Sequence, residues 1–347
     1  MIITRTPYRV SFFGGGTDYH TWYEQHGGQV LSTTINHYNY ISCRFLPPFH
    51  PEYKNRVAWK ILEYSDSIDA IKHPAVRGAL QYYGVTKGVE ISNQCDLPAR
   101  SGLGSSSSFS AGLINALKAL QGETISKADL AKETIHLERH VLKENVGVQD
   151  QIAVVHGGLN HIKISSDGSF SVEQVRMTAP RKREFNDHLL LFFTGVSRTA
   201  SDICKKQIEE TGKKTAQLSR MHAMVDDAVH ILQGNASLDE FGKLLHETWL
   251  LKRSLTSLIS NDSIDEIYAT ALANGAVGGK LLGAGGGGFM LFFAPPERHS
   301  SIKMALRNLL YVPFEFDDQG SQVILCDRPT PSQISFYEEG YVRRGME

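Results

Sequence analysis

The stretch Leu97-Pro98-Ala99-Arg100-Ser101-Gly102-Leu103-Gly104-Ser105-Ser106-Ser107-Ser108 decides how the rest of the chain is read. Its two glycines allow a tight turn and a close backbone approach to a ligand. The four serines then open an apolar-periodic segment, Phe109 to Leu120, which predicts a helix from Ser105 to about Gln121. The amino end of such a helix offers free N–H groups and a positive dipole end, both suited to phosphate. Serine hydroxyls add donors and can ligate Mg²⁺. Capping needs one serine, and a run of four exceeds it, so the segment reads as an anion site. The G-x-x-x-x-G-K-[ST] pattern of a Walker A loop is absent.

Two more glycine clusters flank it. Gly14-Gly15-Gly16 follows the strand-like Val10–Phe13 and precedes Thr17-Asp18-Tyr19. Three glycines there let backbone approach a substrate, with Asp18 as a hydroxyl acceptor. Gly283-Ala284-Gly285-Gly286-Gly287-Gly288 contains G-x-G-x-x-G, but the apolar Phe289–Phe293 after it reads as a strand. A dinucleotide fingerprint needs a helix there, so the cluster reads as a strand–turn–strand.

The surrounding chain of 347 residues alternates β-rich stretches with helical patterns. Strands are expected at Ile35–Phe45, Val89–Asn93 and His188–Phe193, and a hairpin at Asn160–Ile164 and Ser169–Gln174. Helices are expected from Ser126 to about Glu144 and at about 200–210, 214–232, 238–258 and 264–274. Ser332 to Tyr341 reads as a terminal strand or extended tail. Arg181-Lys182-Arg183 reads as a charged joint, dividing the chain into domains at residues 1–182 and 183–347.

Composition narrows the class. Hydrophobic residues make up 41% and charged residues 21%, as in a globular enzyme. With 36 Lys+Arg against 37 Asp+Glu, no basic excess points to nucleic acid. Cys43, Cys95, Cys204 and Cys326 lie far apart with no C-x-x-C pair, so neither a disulfide framework nor a zinc ribbon is expected. His136 and His140 form H-x-E-x-H, which lacks the zinc-protease spacing H-E-x-x-H. No charged leader precedes an apolar stretch, and no apolar run approaches the roughly 20 residues of a membrane span. A cytoplasmic protein with no membrane partner is expected.

In order and spacing, the three glycine motifs resemble the GHMP kinase superfamily. Arg5-Thr6-Pro7-Tyr8-Arg9-Val10-Ser11-Phe12-Phe13-Gly14-Gly15-Gly16-Thr17-Asp18-Tyr19 is similar to galactokinase's P-G-R-V-N-L-I-G-E-H-T-D-Y. The Gly/Ser stretch is similar to the family's P-x-G-x-G-L-G-S-S-A, and Gly147-Val148-Gln149-Asp150-Gln151 to G-I-M-D-Q. The resemblance implies an α+β, two-domain GHMP kinase fold, with a ribosomal protein S5 domain 2-like N-terminal domain and a ferredoxin-like C-terminal domain. It implies ATP and Mg²⁺ as cofactors, with Gly102, Leu103, Gly104, Ser105, Ser106 and Ser107 on the phosphates. Asp150 takes the catalytic position, Arg9 is its basic partner, and Mg²⁺ falls to Glu138 and Ser106. Gly15, Gly16, Thr17, Asp18, Gly285 and Gly286 fall to the substrate.

Galactokinase's Glu-His pair, which holds sugar hydroxyls, is Gly15-Gly16 here, leaving room for a larger ligand. Ser11–Asp18, Gly27-Gly28, Leu31–Asn36 and Trp249–Leu255 resemble one branch, the D-glycero-D-manno-heptose 7-phosphate kinases. That branch phosphorylates the anomeric hydroxyl to the 1,7-bisphosphate used in nucleotide-activated heptose synthesis. A small-molecule sugar phosphate then needs a second anion site, for which Arg198 leads, ahead of Lys205, Lys206, Lys252 and Arg253. The alternatives are another anomeric sugar kinase, fucokinase- or galactokinase-like, and a sugar- and ATP-sensing protein without turnover. Retention of Arg9, Glu138 and Asp150 together argues against the last. The oligomeric state is not legible.

Overall fold

The computed structural model describes residues 1–50, 52–195 and 200–343. In the first half, strands β1 (Ile2–Phe13), β2 (Gly28–Phe45), β3 (Asn55–Ala58), β4 (Leu62–Ser65), β5 (Val89–Cys95), β6 (Asn160–Ile164) and β7 (Phe170–Gln174) alternate with helices. These are α1 (His20–His26), α2 (Pro74–Tyr82), α3 (Ser105–Leu120), α4 (Lys127–His136), α5 (Gln149–His156) and α6 (Ala179–Asp187). The second half carries β8 (Leu189–Phe193), α7 (Ala200–Glu210), α8 (Thr215–Gln233), α9 (Leu238–Leu255) and α10 (Asp262–Ala273). It continues through β9 (Gly278–Leu281), β10 (Phe289–Phe293), α11 (His299–Ala305), β11 (Leu310–Tyr311), β12 (Phe316–Asp317), β13 (Gln322–Cys326) and α12 (Pro331–Arg343).

The larger sheet runs β13-β1-β2-β5-β3-β4. The long β2 pairs β6 through Gly28–Ser32 and β5 through Asn39–Phe45, so a single strand serves two parts of the sheet. The smaller sheet runs β11-β8-β10-β9 with antiparallel neighbours. Taken in chain order β8, β9, β10, β11, that is a 4-1-3-2 arrangement with helices in the two crossovers, the ferredoxin-like pattern the resemblance implied.

One apolar core spans both halves. Tyr8, Val10, Phe12 and Phe13 of β1 are fully buried against Phe185, Leu191, Phe241 and Phe293. Phe13 and Phe241 meet edge to face with centroids 5.1 Å apart, and Phe12 lies 5.4 Å from Phe185. Such pairs contribute roughly 0.5–1.5 kcal/mol each beyond area burial. They fix the walls of whatever cleft opens between the halves.

Three local expectations need correction. Arg181-Lys182-Arg183 is not a loose joint but lies within α6, capped by Thr178. Arg181 donates to the carbonyls of Ile231 at 2.8 Å, Leu232 at 3.0 Å and Ala236 at 2.7 Å, closing the carboxyl end of α8. Helix α4 stops at His136 and continues as a π-turn, Leu137–Val141, well short of Glu144. The C-terminal segment is helical, not extended. Thr330 and Gln333 form a reciprocal capping box: the Gln333 N–H donates to Thr330 Oγ1 at 3.3 Å and the Thr330 N–H to Gln333 Oε1 at 2.8 Å. We keep the boundary near residue 182 as a proposal; β12 and β13, from beyond it, pair with β2 and β1. Among the described residues, no helix is long and apolar enough to cross a membrane.

Candidate active site

A cleft of about 370 Å³ lies between the two halves. This is the size of a small-ligand site. It is lined by Ser105, Ser106 and Ser107, by Arg9 and Asp150, by Gly15, Gly16, Asp18 and Tyr19, and by Lys252, Lys280, Gly283 and Ala284.

Local conformation shapes the phosphate end. Gly104 caps α3 in the left-handed region, φ 72° and ψ 28°, so the next residues enter the helix with their N–H groups toward the cleft. The four serines divide the work. Arg100 donates its N–H to Ser105 Oγ at 3.0 Å, Ser107 Oγ donates to Glu138 Oε2 at 2.9 Å, and Ser108 Oγ donates to the Thr6 carbonyl at 3.0 Å. Ser106 is exposed and lines the cleft. The hydroxyl that meets Glu138 is Ser107, while Ser106, expected beside Glu138 at Mg²⁺, faces the cleft; successive helical residues point about 100° apart.

Glu138 sits in the π-turn after α4, a geometry often found at functional sites. It is fully buried, and burial, with Glu144 nearby, pushes its carboxyl up to about 7. Oε2 also accepts from Gln151 Nε2 at 2.5 Å, whereas Oε1 has no partner among the described residues.

Arg9 and Asp150 form a two-pronged pair. Arg9 Nε donates to Oδ1 and Nη2 to Oδ2, both at 2.7 Å, while Nη1 donates to the Gly102 carbonyl at 2.6 Å. The same guanidinium thus fixes the carboxylate and the phosphate turn. The junction is tight: a Cβ on Gly104 would stand 3.0 Å from Arg9 Cγ and 3.6 Å from Asp150 Oδ2. Asp150 lies in the first turn of α5 and keeps 27% of its side chain exposed, against 4% for Arg9.

Other expected residues divide between the cleft wall, which includes Asp18, and the scaffold behind it. Asp18 is 2% exposed, and its Oδ1 accepts the Gly16 N–H at 2.9 Å; burial raises its pKa. Thr17 is fully buried, its hydroxyl 2.8 Å from the Gly14 carbonyl and 2.9 Å from the Gln29 carbonyl, and the cleft wall does not include it. Leu103 is buried and its carbonyl accepts the Arg9 N–H at 3.0 Å. Gly285 and Gly286 pack on Ile259, the Gly286 N–H donating to its carbonyl at 2.9 Å, and Gly283 and Ala284 face the cleft in their place. Arg198 lies outside the described residues.

Ser11 and Lys280 line the cleft without a site signal of their own in the sequence, and Lys252, a candidate for the second anion site, lines it too. Ser11 Oγ donates to Gln149 Oε1 at 2.7 Å. Lys280 Nζ donates to the Phe12 carbonyl at 2.7 Å; burial and Lys252 drive its pKa well down. Lys252 Nζ donates to the Leu281 carbonyl at 2.9 Å, and burial, with Arg9 close by, pushes its ammonium down to about 7. A lysine in a helix or strand pattern reads as solvated until tertiary packing covers it.

The family model for the GHMP kinases N terminal domain covers residues 70–158, and that for the GHMP kinases C terminal covers 231–311. A D-glycero-alpha-D-manno-heptose 7-phosphate kinase of Campylobacter jejuni is 29% identical over 318 residues, 88% of this chain and 93% of the relative. Among solved structures, a D-glycero-D-manno-heptose 1-phosphate kinase from Bacteroides thetaiotaomicron aligns with a TM-score of 0.76 at 21% identity, over 94% of this chain and 99% of the other. Lactococcus lactis galactokinase complexed with galactose gives 0.70 at 17% identity, over 93% and 94%. The phosphate turn and Glu138 fall within the first matched segment and the clamping glycines 283–288 within the second, and on that double match the chain belongs to the GHMP kinases, ATP-dependent phosphotransferases.

Proposed function

We propose that this chain is a sugar-phosphate kinase that transfers the terminal phosphoryl group of ATP to the anomeric hydroxyl of D-glycero-D-manno-heptose 7-phosphate. The observation that carries the kinase chemistry is the Arg9–Asp150 fork set directly against Gly104, at the amino end of α3. The name of the Campylobacter jejuni relative supports the heptose, as does the space left at Gly15 and Gly16.

In this reading the N–H groups of 102–107 hold the phosphates of ATP. Asp150 accepts or orients the attacking hydroxyl, and Arg9 keeps the carboxylate in place and faces the transferring group. Glu138 with Ser107 fits a divalent cation, because a fully buried carboxylate with an unpartnered oxygen needs a charge or a proton opposite it. Among the described residues no group of three or more His, Cys, Asp or Glu could hold a metal; Mg²⁺ held by Glu138 and Ser107 would keep positions for phosphate and water. When bound, the ion neutralises charge on the phosphates.

The raised Glu138 pKa has a sign that can be measured. Without cation the folded protein keeps this proton up to about 7, where an ordinary glutamate loses it near 4.5. The resulting stabilisation is complete below the lower value and is lost as pH rises through about 7. A cation needs the deprotonated form. The Mg²⁺ concentration giving half-maximal nucleotide-analogue binding is therefore expected to fall between pH 6 and pH 8, by up to about tenfold per unit at the acid end. Glu138→Gln should abolish that dependence; an unchanged pH profile in the variant removes Glu138 as the ligand.

ADP release measured with heptose 7-phosphate, free heptose, fucose and galactose tests the substrate. The expected order places heptose 7-phosphate first in kcat/KM. Faster turnover of a free sugar overturns the heptose phosphate assignment and leaves the kinase in place.

A further inference from the structure

Beyond Gly16 the cleft continues into a side recess lined by Gly16, Tyr19, Gln207, Lys214, Leu218 and Leu255. Four of these, Gly16, Tyr19, Gln207 and Leu255, also line the main cleft, so the two spaces adjoin. The recess shares no residue with the phosphate turn, Ser105–Ser107, nor with Asp150. We propose that its mouth is the subsite for the acceptor's own phosphate, with Lys214 as the cation that recognises it. The proposal rests on the sugar-phosphate reading above and adds how that phosphate is selected.

The geometry of Gly16 makes the subsite reachable. A Cβ there would stand 3.1 Å from Leu218 Cδ2 and 4.0 Å from Leu255 Cδ1, both walls of the recess. Any side chain at 16 would fill the passage, and the backbone, at φ 100°, disfavours one. The recess itself measures about 10 Å³, room for one water. The phosphate therefore sits in the main cleft at the opening, and the ammonium reaches it through the recess.

The other cations of the cleft are committed elsewhere. Arg9 holds Asp150 and the Gly102 carbonyl. Lys280 is tied to the Phe12 carbonyl and Lys252 to the Leu281 and Gly283 carbonyls, both ammonium groups deeply buried. Arg100 stands at the phosphate-turn end, close to Glu144. Lys214 is partly exposed and, among the described residues, spends one of its three donors, on the Ser254 carbonyl at 2.7 Å. That bond anchors it to the carboxyl end of α9, beside Leu255. Gln207 and Tyr19, whose side chains lie 3.1 Å apart, frame the opening, and Gln207 Nε2 donates to the Ala284 carbonyl at 3.2 Å. A point charge on a flexible stem, backed by a carbonyl, suits a phosphate arriving on the end of a sugar chain.

The test compares heptose 7-phosphate with the same heptose lacking the phosphate, in the parent protein, K214A, K214R and R198A. The expected result is a parent preference, as kcat/KM, that falls about ten- to hundredfold in K214A, chiefly through KM for the phosphorylated sugar, and returns in K214R. If the parent prefers the phosphate and K214A keeps that preference, the subsite is wrong and the sugar-phosphate reading stands; loss of preference in R198A with K214A intact has the same meaning. If the parent does not distinguish the two sugars, the sugar-phosphate reading fails and takes the subsite with it. Thermal melting of K214A beside K214R separates a folding defect from lost recognition.

Discussion

Asp150→Asn is expected to lower kcat by roughly 10²–10⁴-fold, the usual contribution of a positioned acid–base group. The substitution keeps volume and leaves one oxygen to accept from Arg9, so the fold survives. It replaces the second acceptor with an NH₂ facing Nη2 or Nε, which now bond Oδ2 and Oδ1 at 2.7 Å each. Two donors then oppose each other at the reaction centre, and the hydroxyl loses its carboxylate. Because the defect belongs to the transition state, kcat and kcat/KM should fall together while ATP affinity holds. A variant retaining kcat within about twofold would show that the carboxylate takes no part in the step, and the role given to Asp150 would have to go elsewhere.

The second large effect concerns the turn beneath the phosphates. Gly102 has φ 85°, and a Cβ on it would lie 2.4 Å from the Leu282 carbonyl oxygen and 2.8 Å from its carbon. Both are backbone atoms, so no side-chain rotation relieves the overlap. The reverse contacts are as close: a Cβ on Gly283 would meet Gly102 Cα at 2.4 Å, and one on Gly288 the Ser101 carbonyl at 2.2 Å. The glycine turn after β9 is thus a backbone clamp on the Gly/Ser turn. Gly102→Ala carries about 1–2 kcal/mol of left-handed strain and a further 1–3 kcal/mol of overpacking. It should lower the melting temperature and weaken binding of a non-hydrolysable ATP analogue together, since the N–H groups that face phosphate move with the loop. Gly84→Ala is the control: its φ is 61° but a Cβ there meets nothing within 4 Å, so it carries the strain alone. Equal losses in the two variants, or unaltered nucleotide affinity in Gly102→Ala, would dispose of the clamp.

Much of the frame was legible because its causes are local. The helix at Ser105–Leu120 follows from apolar period and a left-handed glycine before it, and the hairpin of β6 and β7 from alternation and an Asp-Gly turn. The helix at the C-terminus has a local signal too, Thr330-x-x-Gln333 with Pro331 within it at the first helical position. A charged triplet such as Arg181-Lys182-Arg183 carries less local information. Three basic residues in a row say nothing about the carbonyls of α8 that Arg181 caps, some 50 positions further on.

The residue types that phosphoryl transfer needs, and their order along the chain, were set by sequence alone: a glycine-serine turn, a carboxylate after a glycine, an arginine in the first strand. Tertiary structure decided which of four serines meets Glu138, that Thr17 turns into the scaffold while Asp18 is held at the cleft wall, and that Lys252 and Lys280 are buried at the cleft while Lys214 lines the side recess. The reason is physical. Propensity, capping and glycine conformations depend on neighbours within a few residues, whereas burial and direction of a side chain depend on strands and helices that meet across hundreds of them, as β13 does when it returns to β1.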